Sequence, residues 1–161
     1  MFGGTDFGLT DEEQMFDSKG LEVLPPAECL RLLGQAPIGR IVFTEQALPA
    51  VQPVHYALDG DSVVIRTTVG SKLAAAARNS IVAFEVDQID AGHQVGWSVT
   101  VVGHAEMVTE TKEIDRLAGL PLQSWSPAEP THFIRVRMEM VRGRRLVPPS
   151  TTQKATSSET A

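Results

Sequence analysis

Seven consecutive residues, Arg66-Thr67-Thr68-Val69-Gly70-Ser71-Lys72, carry two cations, three hydroxyl side chains and a glycine. Such a set suits an anion. Arginine can grip two phosphate oxygens at once, lysine adds a point charge, and hydroxyls donate hydrogen bonds. The segment is not a P-loop, which requires G-x-x-x-x-G-K-[ST]. Here Ile65 lies five before Gly70, Ser71 stands between Gly70 and Lys72, and Leu73 follows the lysine. Its surroundings still fit a phosphate. "DSVVIRTT" reads as a strand and "SKLAAAARN" as a compact helix with Ser71 as N-cap, so free backbone N–H groups open toward the same cations. A capped helix with surface cations accounts for the spacing as well, and both readings stand at this point.

Other constellations are weaker. "GWSVT" (96–100) lacks the second glycine of a G-x-S-x-G nucleophile elbow and continues as a strand, which argues against a serine hydrolase. Trp97 reads either as a core or interface aromatic or as a ring beside a flat ligand, with Ser98 offering a hydrogen bond to that ligand's polar edge. His55, His93, His104, His132 and Cys29 show no metal-ligand spacing, so no metal site is expected. Glu85 and Asp87 share a strand face, where paired carboxylates are usually solvated. No residue is marked as a protein nucleophile.

Several β-like runs would position these groups. "PPAECLRLLGQ" suits a short amphipathic helix with Cys29, Leu30, Leu32 and Leu33 as its apolar members. "IGRIVFTE", "PAVQPVHYAL" and "DSVVIRTT" read as strands, the last two joined at Asp59-Gly60. Pro49 and Pro53 place the second of these at an edge or bulge. "SIVAFEVDQ" and "GWSVTVVGHAEMVT" follow, with a bend or bulge expected at Gly103. A helix near 110–118 leads to a Pro/Ser/Trp loop. "HFIRVRMEMV" reads as one closing strand, with Ile134, Val136, Met138 and Met140 on one face. The pattern predicts a mainly β protein, a six-stranded antiparallel barrel with short helices.

Composition sets the outer limits. The chain has 161 residues, 42% of them hydrophobic, and a net charge of −6, an acidic balance that argues against nucleic acid as the main partner. One cysteine forbids an internal disulfide and suits a reducing compartment. No apolar run approaches a bilayer span, so no membrane partner is expected, and a cytoplasmic location is. The expected organisation is an acidic flexible arm (1–20), a folded body (21–147) and a polar, disordered tail (148–161). Five arginines between 131 and 147 face only Glu139, so this basic stretch meets an anionic ligand, a partner subunit, the acidic arm or plain solvent.

The order "IGRIVF", "LPAVQPVHY", "DGDSVVIRTTVGSKL", "NSIVAFEVD", "GWSVTVVGHAEMV" resembles the pyridoxamine 5'-phosphate oxidase-like flavin-binding split-barrel family. It is most similar to the actinobacterial branch related to the nitroimidazole-resistance proteins. The resemblance implies a homodimer with FMN in a groove at the subunit interface. It implies Arg66, Thr67, Thr68, Ser71 and Lys72 at the flavin phosphate. Pro53, Val54, His55 and Tyr56 would run along the isoalloxazine ring, with Ser98 and Trp97 at its edge. The implied activity is two-electron transfer to or from a small-molecule substrate. Alternatives are F420 in place of FMN, or a carrier, store or sensor of flavin, F420 or haem. Two departures stand out. The Arg/Trp-containing C-terminal segment of true oxidases is missing, and Arg66-Thr67 occupies the place where the resistance proteins usually carry a histidine.

Overall fold

The computed structural model describes residues 16–122 and 131–148. Eight strands form one antiparallel sheet: β1 (Glu22–Leu24), β2 (Ile38–Glu45), β3 (Leu48–Asp59), β4 (Ser62–Thr68), β5 (Ser80–Asp90), β6 (Val95–Met107), β7 (Thr131–Arg137) and β8 (Met140–Leu146). Three short helices interrupt them: α1 (Pro26–Leu33), α2 (Lys72–Ala76) and α3 (Thr111–Ala118). The sheet runs β1-β8-β6-β5-β2-β3-β4-β7, and a second pairing of β6 with β7 closes six of the strands into a barrel. That is the expected split barrel, with β1 and β8 added along its open flank.

The split lies in β6. Residues Gly96–Val102 pair with β8, whereas Ala105–Met107 pair with β7. Gly103 sits between the two, and it is a close approach rather than a bulge: a Cβ there would lie 1.8 Å from the Arg137 carbonyl oxygen. The run expected as one closing strand is therefore two. Met138 N–H donates to Asp61 O and Glu139 N–H to Arg137 O, a turn that ends β7 and starts β8. Met138 packs on the core, but Met140 is exposed.

The prolines of β3 are explained by partial pairing. Pro49 and Pro53 face β2, while β4 covers only Tyr56–Asp59, so their missing N–H groups interrupt no second ladder. Asp59 and Ser62 close the predicted hairpin through Gly60, whose φ is +60°. The barrel core holds Ile41, Phe84, Val86, Val99, Val101 and Ile134, all fully buried. α1 buries Cys29, Leu32 and Leu33 against β6 and β8 but leaves Leu30 in solvent, contrary to the expected apolar set. The folded residues begin before Leu21: Phe16 bridges to Glu22, and Asp17 accepts from Arg144 Nε at 3.0 Å. Most of the expected arm, tail and Pro/Ser/Trp loop falls outside the described residues. No helix among those described is long and apolar enough to cross a membrane.

α3 packs through Leu117 on Val64 and Phe133, outside the barrel. Four charges ring this contact: Arg116 reaches Asp59 at 2.7 Å and Glu113 at 2.6 Å, and Arg135 reaches Glu113 at 2.7 Å. Hydrogen bonds from Arg116 first, and then Arg135, pull the Glu113 carboxyl from 4.5 to about 2. A carboxyl lowered on folding stabilises the fold above its unfolded value and stops doing so as pH falls toward its folded one. The melting temperature should therefore drop between about pH 5 and about pH 2. Glu113→Gln should make that drop shallower, and calorimetry across the range checks it.

Candidate anion and ring-binding site

Side chains alternate across a strand, so the outward and inward residues of the barrel wall form separate sets. On β4, Ile65 and Thr67 point inward and are buried, whereas Arg66 points outward, opposite Phe133 of β7. On β3, Val54 and Tyr56 point into the core, and Tyr56 Oη donates to Leu33 O. Burial of that ring pushes the Tyr56 hydroxyl up to about 12, so it stays neutral. Pro53 and His55 take the outward face. Only the backbone of Val54 and Tyr56 is left to meet a ligand there.

The anion segment is compact. Ser71 caps α2, accepting from Ala74 N–H at 3.0 Å, and its hydroxyl lies 2.9 Å from Thr67 Oγ1. Two hydroxyl protons meet in that pair and only one joins it, so the other remains to donate elsewhere. Gly70 has φ +78° with open space where a Cβ would be, which lets the backbone turn from β4 into α2. Lys72 reaches Glu45 at 3.0 Å, but its side chain is 79% exposed, so this pair yields readily to a stronger anion. Arg66 Nε is buried and has no hydrogen-bond partner among the described residues. A buried guanidinium nitrogen left unpaired costs more than a neutral one. Two cations and a spare hydroxyl proton within seven residues are group types that a phosphate ester calls for.

The outward residues fall into rows across the sheet. One step past Tyr56↔Ile65, His55 comes level with Arg66. His55 pairs with Ile38, which lies level with Asp87 two steps past Arg40↔Glu85. Asp87 pairs with Ser98, and Ser98 with Arg144. From Arg66 to Ser98 is four strand spacings, roughly 19 Å along the sheet. An extended flavin mononucleotide is of comparable length. The row also has polarity. Arg66 stands at one end, while Glu85 and Asp87 are bridged by Arg40 at 3.3 and 3.2 Å nearer the other. Burial first, and then Asp87, raises the Glu85 carboxyl. A phosphate is drawn to the β4 end and repelled from β5.

Trp97 leaves this row. It is next to Ser98 in sequence and so points to the opposite face, packed against the core. Among the arginines between 131 and 147, all but Arg142 make ion pairs within the described residues, including Arg144 with Asp17 and Arg145 with Glu28. This basic stretch mainly secures the chain's own acids. Sequence reasoning put Asp87 on a solvated strand face with Glu85 but missed Arg40 as a member of the outward rows, although strand alternation from Ile38 marks it.

The chain matches the family model for pyridoxamine 5'-phosphate oxidase over residues 25–145, and it belongs to that family. A Mycobacterium tuberculosis relative, the uncharacterised protein Rv0080, is 35% identical over 130 residues, covering 78% of this chain and 85% of that protein. Among solved structures, an FAD binding protein from Mycobacterium smegmatis is 34% identical with a TM-score of 0.67, covering 77% of this chain and 97% of the other. A FAD-binding protein from Mesorhizobium loti is 25% identical with a TM-score of 0.64, covering 79% and 99%.

Proposed function

We propose that this protein is a cytoplasmic flavin-dependent oxidoreductase that works as a homodimer on a small organic substrate. The observation that carries the reading is the buried Arg66 Nε, without a hydrogen-bond partner among the described residues, in a seven-residue segment that also holds the Thr67–Ser71 hydroxyl pair and an exposed Lys72. Arg66, Thr67, Thr68, Ser71 and Lys72 would hold the flavin phosphate. Pro53, His55 and Ser98 would flank the ring with their side chains, and Val54, Tyr56 and Trp97 with their backbone. FMN is the proposed form. The FAD named for two relatives shares the ribityl phosphate that this segment would grip. A bound flavin supplies two-electron chemistry, and the protein contributes binding, orientation and electrostatics. That division of labour requires no protein nucleophile.

A second subunit would sit on an apolar face. Val51, Val42, Ala83, Val102 and Met140 form one continuous outward apolar row across five strands. Val51 and Ile81, each 62% exposed, extend this face. An apolar face of this kind supports contact with a second copy. The row of Arg66, His55 and Ser98 runs parallel to it, so a second copy seated there would border the flavin groove.

The activity is tested by anaerobic addition of NADH, NADPH or reduced F420 to the FMN-loaded protein. Bleaching of the flavin band by one of these, and its return on adding an organic acceptor, is the expected result. A bound flavin that none of the three reduces would mark a carrier or store rather than an oxidoreductase.

A further inference from the structure

A groove of about 460 Å³ opens where the ends of β5, β6 and β8 meet, lined mainly by apolar residues and by Trp97, whose side chain is on the face opposite Ser98. Its volume is in the range of small-molecule pockets. Leu146 and Val147 contribute apolar walls, and Gln88, Asp90 and Arg145 are its polar members. The two charges are already matched. Arg145 reaches Glu28 at 2.6 Å and Glu22 at 3.4 Å, and Asp90 holds His93 Nδ1 at 2.7 Å. The two neutral polar groups are not. Neither the Trp97 indole N–H nor the Gln88 amide makes a side-chain hydrogen bond among the described residues. Gln88 and Trp97 are direct cross-strand partners, which sets their side chains side by side on one face.

We infer that this groove is a second small-molecule site, separate from the flavin row, for a neutral planar heteroaromatic molecule. The indole supplies a stacking face, and the adjacent N–H and amide supply a donor and an acceptor for the ligand's polar edge. Neutrality follows from the part-buried cation, since an anion would compete with both Glu22 and Glu28 for Arg145, and from the apolar walls, which offer a cation only the solvated Asp90 at the rim. Independence from flavin rests on the recognition groups, because Gln88, Trp97 and Arg145 form one cross-strand row on the side of β6 opposite Ser98.

Coumarin is a suitable neutral probe and coumarin-3-carboxylate its anionic counterpart. Each is titrated into the full chain while the Trp97 indole N–H resonance is followed, assigned by its loss in Trp97→Phe. Coumarin should shift this resonance saturably, with the same dissociation constant in flavin-free and FMN-saturated protein, and the carboxylate should bind more weakly. Gln88→Ala, at an exposed position, should weaken coumarin about two- to tenfold through loss of one hydrogen bond. Trp97→Ala should weaken it further, and Gln88→Ala keeps the test decisive if that variant does not fold. Four results would each overturn the inference: no saturable shift at millimolar coumarin, displacement by FMN, equal binding of the carboxylate, or loss of binding as the protein is concentrated. The last would assign the groove to a second copy of the chain.

Discussion

Replacing both cations of the anion segment, Arg66→Ala with Lys72→Ala, is expected to raise the FMN dissociation constant by about a hundredfold or more. Each substitution removes a charge-assisted contact of roughly 1.5–3 kcal/mol. Every 1.4 kcal/mol is about tenfold in affinity, so the pair spans roughly two to four decades. Stability should change little. Lys72 is 79% exposed and its partner Glu45 is a surface carboxylate, a pair worth about 0–1 kcal/mol. Arg66 Nε makes no hydrogen bond among the described residues that truncation would break. Riboflavin, which lacks the phosphate, should bind wild type and double variant alike. Equilibrium titrations of both flavins read the difference, and an unchanged FMN constant would return the segment to a capped helix with surface cations.

Gly103→Ala is expected to be the most damaging single-methyl change in the barrel. The added Cβ would lie 1.8 Å from the Arg137 carbonyl oxygen and 2.9 Å from its carbon, both backbone atoms that cannot rotate away. Relief requires moving the β7–β8 turn off β6 at the point where β6 changes partners. Overpacking of this kind costs about 3 kcal/mol or more. For a chain of this size that corresponds to a melting temperature roughly 10 °C lower. Gly92→Ala is the matched control, since its nearest contact is the Asp90 carboxylate at 3.4 Å. Thermal denaturation of the two variants should separate them clearly. A Gly103→Ala protein as stable as the control would mean that the β7–β8 turn does not lie against β6.

Local chemistry was readable where neighbours in sequence decide it. Asp59-Gly60 makes the β3–β4 hairpin, and Ser71 caps α2 through Ala74 N–H. Pro49 and Pro53 mark the stretch of β3 that β4 does not cover. What escaped depends on distant partners. The alternation of Ile134, Val136, Met138 and Met140 is unbroken, yet the strand breaks at Met138 because Asp61 and Arg137 capture its backbone N–H groups. Neither a glycine nor a proline announces that turn. The arginines of β8 looked available to a ligand because their acids lie far off in sequence, Asp17 for Arg144 and Glu28 for Arg145.

For the site, the anion segment was legible from residue types alone, and the outward row was not. Arg66, His55 and Ser98 lie on three different strands and align only through the registers of four ladders. Trp97 was grouped with Ser98 by adjacency, although alternation along β6 separates them. The same alternation leaves Val54 and Tyr56 as core residues whose backbone alone borders the row.

The central claim is that this split barrel holds a flavin by its phosphate end. Its most direct test is the visible spectrum of the full-length protein after equilibration with FMN and removal of free ligand by gel filtration. The expected result is a flavin absorption band that travels with the protein at close to one flavin per chain and is lost with Arg66→Ala and Lys72→Ala. A protein that emerges colourless from wild-type samples would contradict the account.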